Sequence, residues 1–308
     1  MTFQATIKAY GGWKNTCHLS NGHIELIITL DVGPRIIHCG LVGGENQFAQ
    51  YPAQLGATGG TEWRIYGGHR LWHAPEQRGR TYSPDNAPVE YSLLDDGIEL
   101  RQATDQAGIR KALEIRLPEG SARARLTHRL TNEGQWTAPF AAWALSVMRA
   151  GGTAIIPLPA RGSHEHNLLP KSSLVLWAYT NMSDPRWTWG REYILLRQTS
   201  DGVPQKIGAN LEGQAWLAYI NAGVMFVKTA HYQAHAPYPD MGSSLEVFTD
   251  HAMLELETLS PLYQVAPHAS IEHVEDWALF DEVASPRQDA EVSTQVLPHV
   301  LPFLASLA

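Results

Sequence analysis

Cysteine is scarce: Cys17 and Cys39 are the two in a chain of 308 residues. Two thiols cannot supply a disulfide framework for a chain this long, and free thiols fit a reducing compartment. Basic charge is also short. Lys and Arg number 23 against 31 Asp and Glu, a formal net charge of −8. The basic footprint of a nucleic-acid binder is missing, so no nucleic-acid partner is expected. The arginines that do cluster, Arg123, Arg125 and Arg129, alternate as one solvated strand face. No apolar run approaches the roughly 20 residues of a membrane-spanning helix. The opening MTFQATIKAYGGWKN lacks the basic segment and apolar core of a signal peptide. Together these absences predict a cytoplasmic protein with no membrane partner. There is no Walker loop, no dinucleotide fingerprint between a strand and a helix, and no Gly-x-Ser-x-Gly elbow. His231/His235 and His164/His166 fall in strand and loop patterns rather than on a helix face, and no full ligand set has metal-site spacing. Neither metal nor cofactor is expected.

Helical periodicity is nearly absent as well, and what replaces it is alternation. Ile24, Leu26, Ile28 and Leu30 share one face, with Glu25, Thr29 and Asp31 on the other, the pattern of a half-buried strand. Residues 89 to 131 read as an antiparallel meander, with turns at Asp96-Gly97 and Pro118-Glu119-Gly120 and with Ala124, Leu126, His128 and Leu130 facing inward. Further hairpins turn at Asn221-Ala222-Gly223 and Thr249-Asp250-His251. The chain is therefore all-β. We expect one domain over residues 1–284 and a C-terminal extension, 285–308, that turns helical. Short helices are expected at 277–283 and 296–308. The tail's Val296, Leu297, Val300, Leu301 and Leu304 predict a helix used in homodimerisation.

Two long segments carry no period: residues 43 to 88 and 157 to 192, both rich in Pro and aromatics. Long ordered loops in compact domains are often functional. The first holds Tyr66-Gly67-Gly68-His69-Arg70-Leu71-Trp72-His73-Ala74-Pro75-Glu76. Glycines permit close approach of another group. The side chains around them offer a flat stacking face, a fixed cation and proton-transfer groups. That is the inventory of a sugar site, with Arg70, Trp72, His73 and Glu76 as candidate ligand contacts. Trp63, Trp72, Trp187 and Trp189 are candidates for stacking on a ligand. Arg70 and Arg35 would meet an acidic group if the ligand carries one, and Arg35 has a competing role as partner of Asp31.

Three blocks resemble the galactose mutarotase-like superfamily of aldose 1-epimerases and hexose-6-phosphate epimerases. They are Asn21 to Tyr51 with its Gly33-Pro34-Arg35-Ile36 step, Gly67-Gly68-His69-Arg70, and Leu254-Glu255-Leu256-Glu257-Thr258-Leu259-Ser260-Pro261 followed by Pro267 and Trp277. The resemblance covers roughly residues 20 to 280. It implies a supersandwich of two large antiparallel sheets with a sugar cleft on one of them. It also implies a glutamate that takes the anomeric proton and a histidine that protonates the ring oxygen. Glu257 matches the glutamate. Trp143 stands at the histidine's place, and an indole cannot shuttle a proton at neutral pH. His69 is then the first substitute acid and His231 the second. Arg70, Trp72, Trp143, Asp240 and Glu246 would hold the sugar. The expectation is an aldose epimerase. The alternative is a sugar-binding or sensing protein that kept the cleft and lost the acid, and a glycan lyase or hydrolase is a third reading.

Overall fold

The computed structural model describes residues 3–210 and 214–307. Among these residues the strands form two antiparallel sheets, of eleven and ten strands. The first sheet runs from Gln4–Tyr10 at one edge through Trp13–Ser20, Ile24–Thr29, Arg35–Leu41 and Gly68–Ala74 to Ala138–Met148 near its middle. It continues through Leu254–Leu259, Leu245–Thr249 and Gln205–Ala209 to Leu174–Leu176. The second holds Ser270–Phe280 and Val224–His231 at its centre. The meander read from the sequence is four consecutive neighbours at one edge of this sheet, Glu90–Leu94 to Arg123–Asn132.

The period-two pattern explains why the sheets face each other. One side of each strand carries Leu, Ile, Val and aromatic residues, and these meet in one large core that includes Ile28, Phe48, Leu126, Met148, Leu256, Phe226 and Trp277. Each such side chain contributes about 1.5–3 kcal/mol when fully buried. The outer face of the second sheet is covered by the C-terminal segment. There Val292, Val296, Val300 and Phe303 pack on Ile155, Val227 and Ala278. The tail is helical over Leu297–Ala305, preceded by one wide turn, and Ala308 lies outside the described residues. Two expectations change here. Residues 277–283 form no helix, because Trp277–Phe280 complete the long strand Ser270–Phe280. Val296 and Val300, assigned to a dimer contact, are instead spent on this chain's own sheet, while Leu301 stays exposed.

Gly67 and Gly68 have a structural reason. Both adopt positive φ, +102° and +71°, and a Cβ on either would sit 2.1 Å from a backbone oxygen, of Ala49 and Ile36 respectively. They let the chain pass under its neighbours and enter the strand Gly68–Ala74. Arg35 fixes the same corner. Its guanidinium is fully buried, bonds the carbonyls of Ile65 and Gly67, and pairs with Asp85 at 2.8 Å. The expected partner, Asp31, instead caps the backbone of Lys14 and Asn15.

Candidate functional site

Alternation sorts the motif residues onto two faces of the first sheet. On Gly68–Ala74, Arg70 and Trp72 point to the outer face, and His69, Leu71 and His73 point inward between the sheets. The neighbouring strands follow suit. Trp143 and Leu145, Glu255 and Glu257, Glu246 and Phe248, and Lys206 all project outward, whereas Ser146, Leu256, Thr258 and Val247 project inward. The outward residues build one cleft of about 440 Å³. Trp63, Trp72, Tyr82, Trp143, Tyr179 and Phe248 form its walls, and Arg70, Glu76, Lys206, Asp250, His251 and Glu255 are its polar groups. Apolar walls with a few convergent polar groups are typical of small-molecule sites.

The strand register accounts for the charge pattern. Glu246 and Glu257 face each other directly across adjacent antiparallel strands, an arrangement that like charges make unfavourable unless bridged. Lys206, one strand further, bridges them: its Nζ lies 2.7 Å from Glu246 and 3.0 Å from Glu257. The same ammonium rests over the rings of Trp143 and Trp177, 4.7 and 4.8 Å from their centroids. The two carboxylates raise the Lys206 ammonium above the ordinary lysine range against the pull of burial. Trp143 Nε1 donates to the same Glu257 oxygen at 2.7 Å. Arg70 donates to Glu255 at 3.0 Å, lies 4.3 Å above the Trp72 ring, and leaves two guanidinium nitrogens without a partner. Burial first, and then neighbouring Glu257, raises the Glu255 carboxyl, and Glu246 is raised well above the usual carboxylate range for the same reasons, burial first. Asp240, half-buried on the turn Pro239–Gly242 behind Glu246, is also raised, first by burial.

The cleft therefore gathers Arg70, Trp72 and Glu76, with Trp143 in its wall and Glu246 and Asp240 behind it. Glu76 sits at the rim and accepts from the Tyr82 hydroxyl at 2.5 Å. Glu257, at 0% exposure, lies beneath Trp143 and Lys206 rather than in the open wall. The three candidate histidines lie outside the cleft lining. His69 is fully buried on the opposite face, between Ser146 Oγ at 2.9 Å and His128 Nε2 at 2.8 Å, so the sheet separates it from any ligand held against Glu257. His73 shares that inner face, has no hydrogen-bond partner, and is lowered to about 3, chiefly by burial. His231 ends a strand of the second sheet on the parity of Met225 and Val227 and lines no part of the cleft. Trp187 and Trp189 stack on each other, 5.0 Å apart, in the second sheet, so of the four stacking candidates Trp63 and Trp72 reach the cleft.

Sequence reasoning missed Lys206, Tyr179, Asp250 and His251. Lys206 sits in a five-residue strand with no alternating pattern, so nothing local announced it. Glu255 was legible by parity with Glu257, and Phe248 by parity with Glu246. His251 is the one histidine in the cleft lining. Cys17 and Cys39 are buried and free, and burial raises the Cys17 thiol to about 11, away from reactivity.

Two facing antiparallel sheets, with a polar and aromatic cleft on the outer face of one, give this chain the galactose mutarotase-like β-sandwich fold. Solved structures share it at low identity. The Slr1438 protein from Synechocystis sp. PCC 6803 superposes with a TM-score of 0.58 at 12% identity, over 89% of this chain and 99% of that one. A galactose mutarotase-like protein from Lactobacillus casei ATCC 334 gives 0.56 at 9% identity, over 86% and 100%. A galactose mutarotase related enzyme from Lactobacillus acidophilus gives 0.54 at 8%, over 88% and 99%. No family profile matches the sequence, and no curated protein matches it.

Proposed function

We propose that the protein binds a monosaccharide unit in the outer-face cleft and does not epimerise it through a Glu257–His69 pair. The carrying observation is the state of that pair. Glu257 is held by Trp143 and Lys206 and buried, and His69 lies on the other side of the sheet. Proton transfer to a ring oxygen needs an acid within hydrogen-bond reach of the sugar, and His69 has no such reach. The cleft itself suits a sugar. Trp63, Tyr82 and Tyr179 offer apolar surface, and Arg70, Glu255 and Glu76 offer donors and acceptors for hydroxyls. The fold relatives described as galactose mutarotase-like and galactose mutarotase related support a sugar ligand. The reading takes the protein as cytoplasmic, with residues 1–284 as the binding domain.

A second reading keeps catalysis but moves it. Glu255 and His251 line the same cleft, and a carboxyl and an imidazole are the kinds of group that exchange protons with a sugar. NMR exchange spectroscopy on a panel of aldoses, with and without the protein, separates the two. Saturable line broadening without faster α/β interconversion is expected. Faster interconversion that survives E257Q and is lost in E255Q would establish the second reading. No binding and no exchange would remove both.

A further inference from the structure

The cleft is long, and its two ends differ. Strand register sets the length. Trp143 pairs with Trp72 and Leu259 at one level, and Met148 pairs with Leu254 at the other, beside the turn that carries Asp250 and His251. Leu254 to Leu259 is about 17 Å of extended strand. The volume, about 440 Å³, falls among sites for drug-sized ligands, about 300–1,000 Å³.

The Trp72 end is aromatic. Trp63 lies 5.4 Å from Trp72 and 5.2 Å from Tyr82, centroid to centroid. Trp72 is buried beneath Arg70, so the surface left for a ligand is that of Trp63 and Tyr82, both half-buried, and of Tyr179, 46% exposed. The polar groups at this end and in the middle are engaged with one another: Glu76 with Tyr82, Trp143 and Lys206 with Glu257, Arg70 with Glu255. At the turn end, Asp250 and His251 bond to no other side chain among the described residues, and Asp250 Oδ1 caps the backbone of Ala252 and Met253. A single pyranose ring held at the turn would leave Trp63 and Tyr82 facing water, and aromatic surface gathered in a cleft gains from a ring placed against it.

We infer that the cleft takes an aryl glycoside, with its sugar toward Asp250, His251 and Glu255 and its aromatic aglycone against Trp63 and Tyr82. This rests on the sugar-binding reading and sharpens it. A second sugar would also fill the length, but it brings hydroxyls to an end whose polar groups are engaged, whereas an aryl ring brings none. The inference agrees with the missing acid as well. A glycoside has no free anomeric hydroxyl, so its anomers do not interchange by ring opening and a proton shuttle has nothing to act on.

The test is a calorimetric titration of the full chain at pH 7. The probes are glucose and galactose, their methyl and phenyl glycosides, cellobiose, lactose and phenol. The phenyl glycosides are expected to bind about tenfold tighter than the methyl glycosides, the worth of one good aromatic contact. Trp63→Ala is expected to reduce that preference to about threefold or less. If the variant misfolds, saturation-transfer NMR on the wild-type chain carries the test, with the aryl protons expected to saturate more strongly than the sugar protons. Equal binding of methyl and phenyl glycosides, tighter binding of the disaccharides, or a folded Trp63→Ala that keeps the full preference overturns the inference and leaves sugar binding standing. Phenol binding as tightly as the phenyl glycosides overturns the sugar reading too, and so does the failure of every probe to bind.

Discussion

Lys206 is the residue on which the cleft floor depends. It is buried, it answers two carboxylates that face each other across strands, and its ammonium sits between two indoles. Removing one partner of a buried ion pair leaves an uncompensated charge, which costs about 3–5 kcal/mol. K206M is therefore expected to lower stability by that amount in urea denaturation. Adding E246Q and E257Q to it is expected to recover a large part, since the stranded charges then disappear together. If K206M alone were neutral, the three groups would not act as a unit. Trp143 marks the same site differently. The sequence shows an indole where the family resemblance places a histidine, and the structure shows what it does: it donates to Glu257. The loss of a proton shuttle was legible from residue type alone. The gain of a clamp needed the partner strand, 114 residues away.

At the scale of elements, the Gly67-Gly68 entry decides whether Arg70 and Trp72 reach the cleft. A side chain at Gly68 would meet Ile36 O at 2.1 Å with φ at +71°, and the neighbour is backbone that cannot turn aside. A left-handed conformation alone costs an L-residue about 1–2 kcal/mol. G68A is expected to lose at least about 2 kcal/mol by thermal or urea unfolding, and to lose ligand binding with it, whereas G43A, at positive φ but in open space, should lose only the smaller backbone term. Equal losses for the two would mean that the close approach is unimportant. The C-terminal element makes the complementary point. Its apolar residues read as a free face awaiting a second copy, and the structure spends Val296, Val300 and Phe303 on the second sheet. An amphipathic stripe states that something must cover it, not what.

At the scale of the whole molecule, the sheets are joined by a polar network as well as an apolar core. Lys228 reaches from the second sheet to the carbonyls of Ala144 and Leu256, on strands that carry the cleft, and pairs with Glu275 at 2.6 Å. Ser146, His69 and His128 continue the chain of bonds, and His128 Nδ1 ends on the carbonyl of His273. Thr258 and Trp277 complete the shell of Glu275. Burial keeps the histidines of this layer neutral, with His273 lowered to about 3, and His73 nearby lowered to about 3 as well. The sign follows from the unfolded chain, where a histidine takes its proton near 6.5. The neutral, folded form has full stability above that pH and loses it as pH falls from 6.5 toward 3. The C2–H resonances of His73 and His273 are therefore expected to stay fixed between pH 8 and 5. Titration near 6.5 would place either ring in contact with solvent, and for His273 would break the network as described.

By itself the sequence determined the all-β class, the meander, the hairpins and the Glu255/Glu257 parity, because a strand's period of two is local and visible in any one segment. It also pointed to Arg70 and Trp72 as cleft residues. It could not say which face of the strand opens onto the cleft. His69 and Arg70 are adjacent in the chain and lie on opposite sides of the sheet, and that choice is made by what packs against them: Trp277 and His128 on one side, Glu255 and Trp63 on the other. Lys206 belongs to the same class of fact. Its partners come from strands 40 and 51 residues later in the chain, so only tertiary structure brings the cation to the carboxylates it balances.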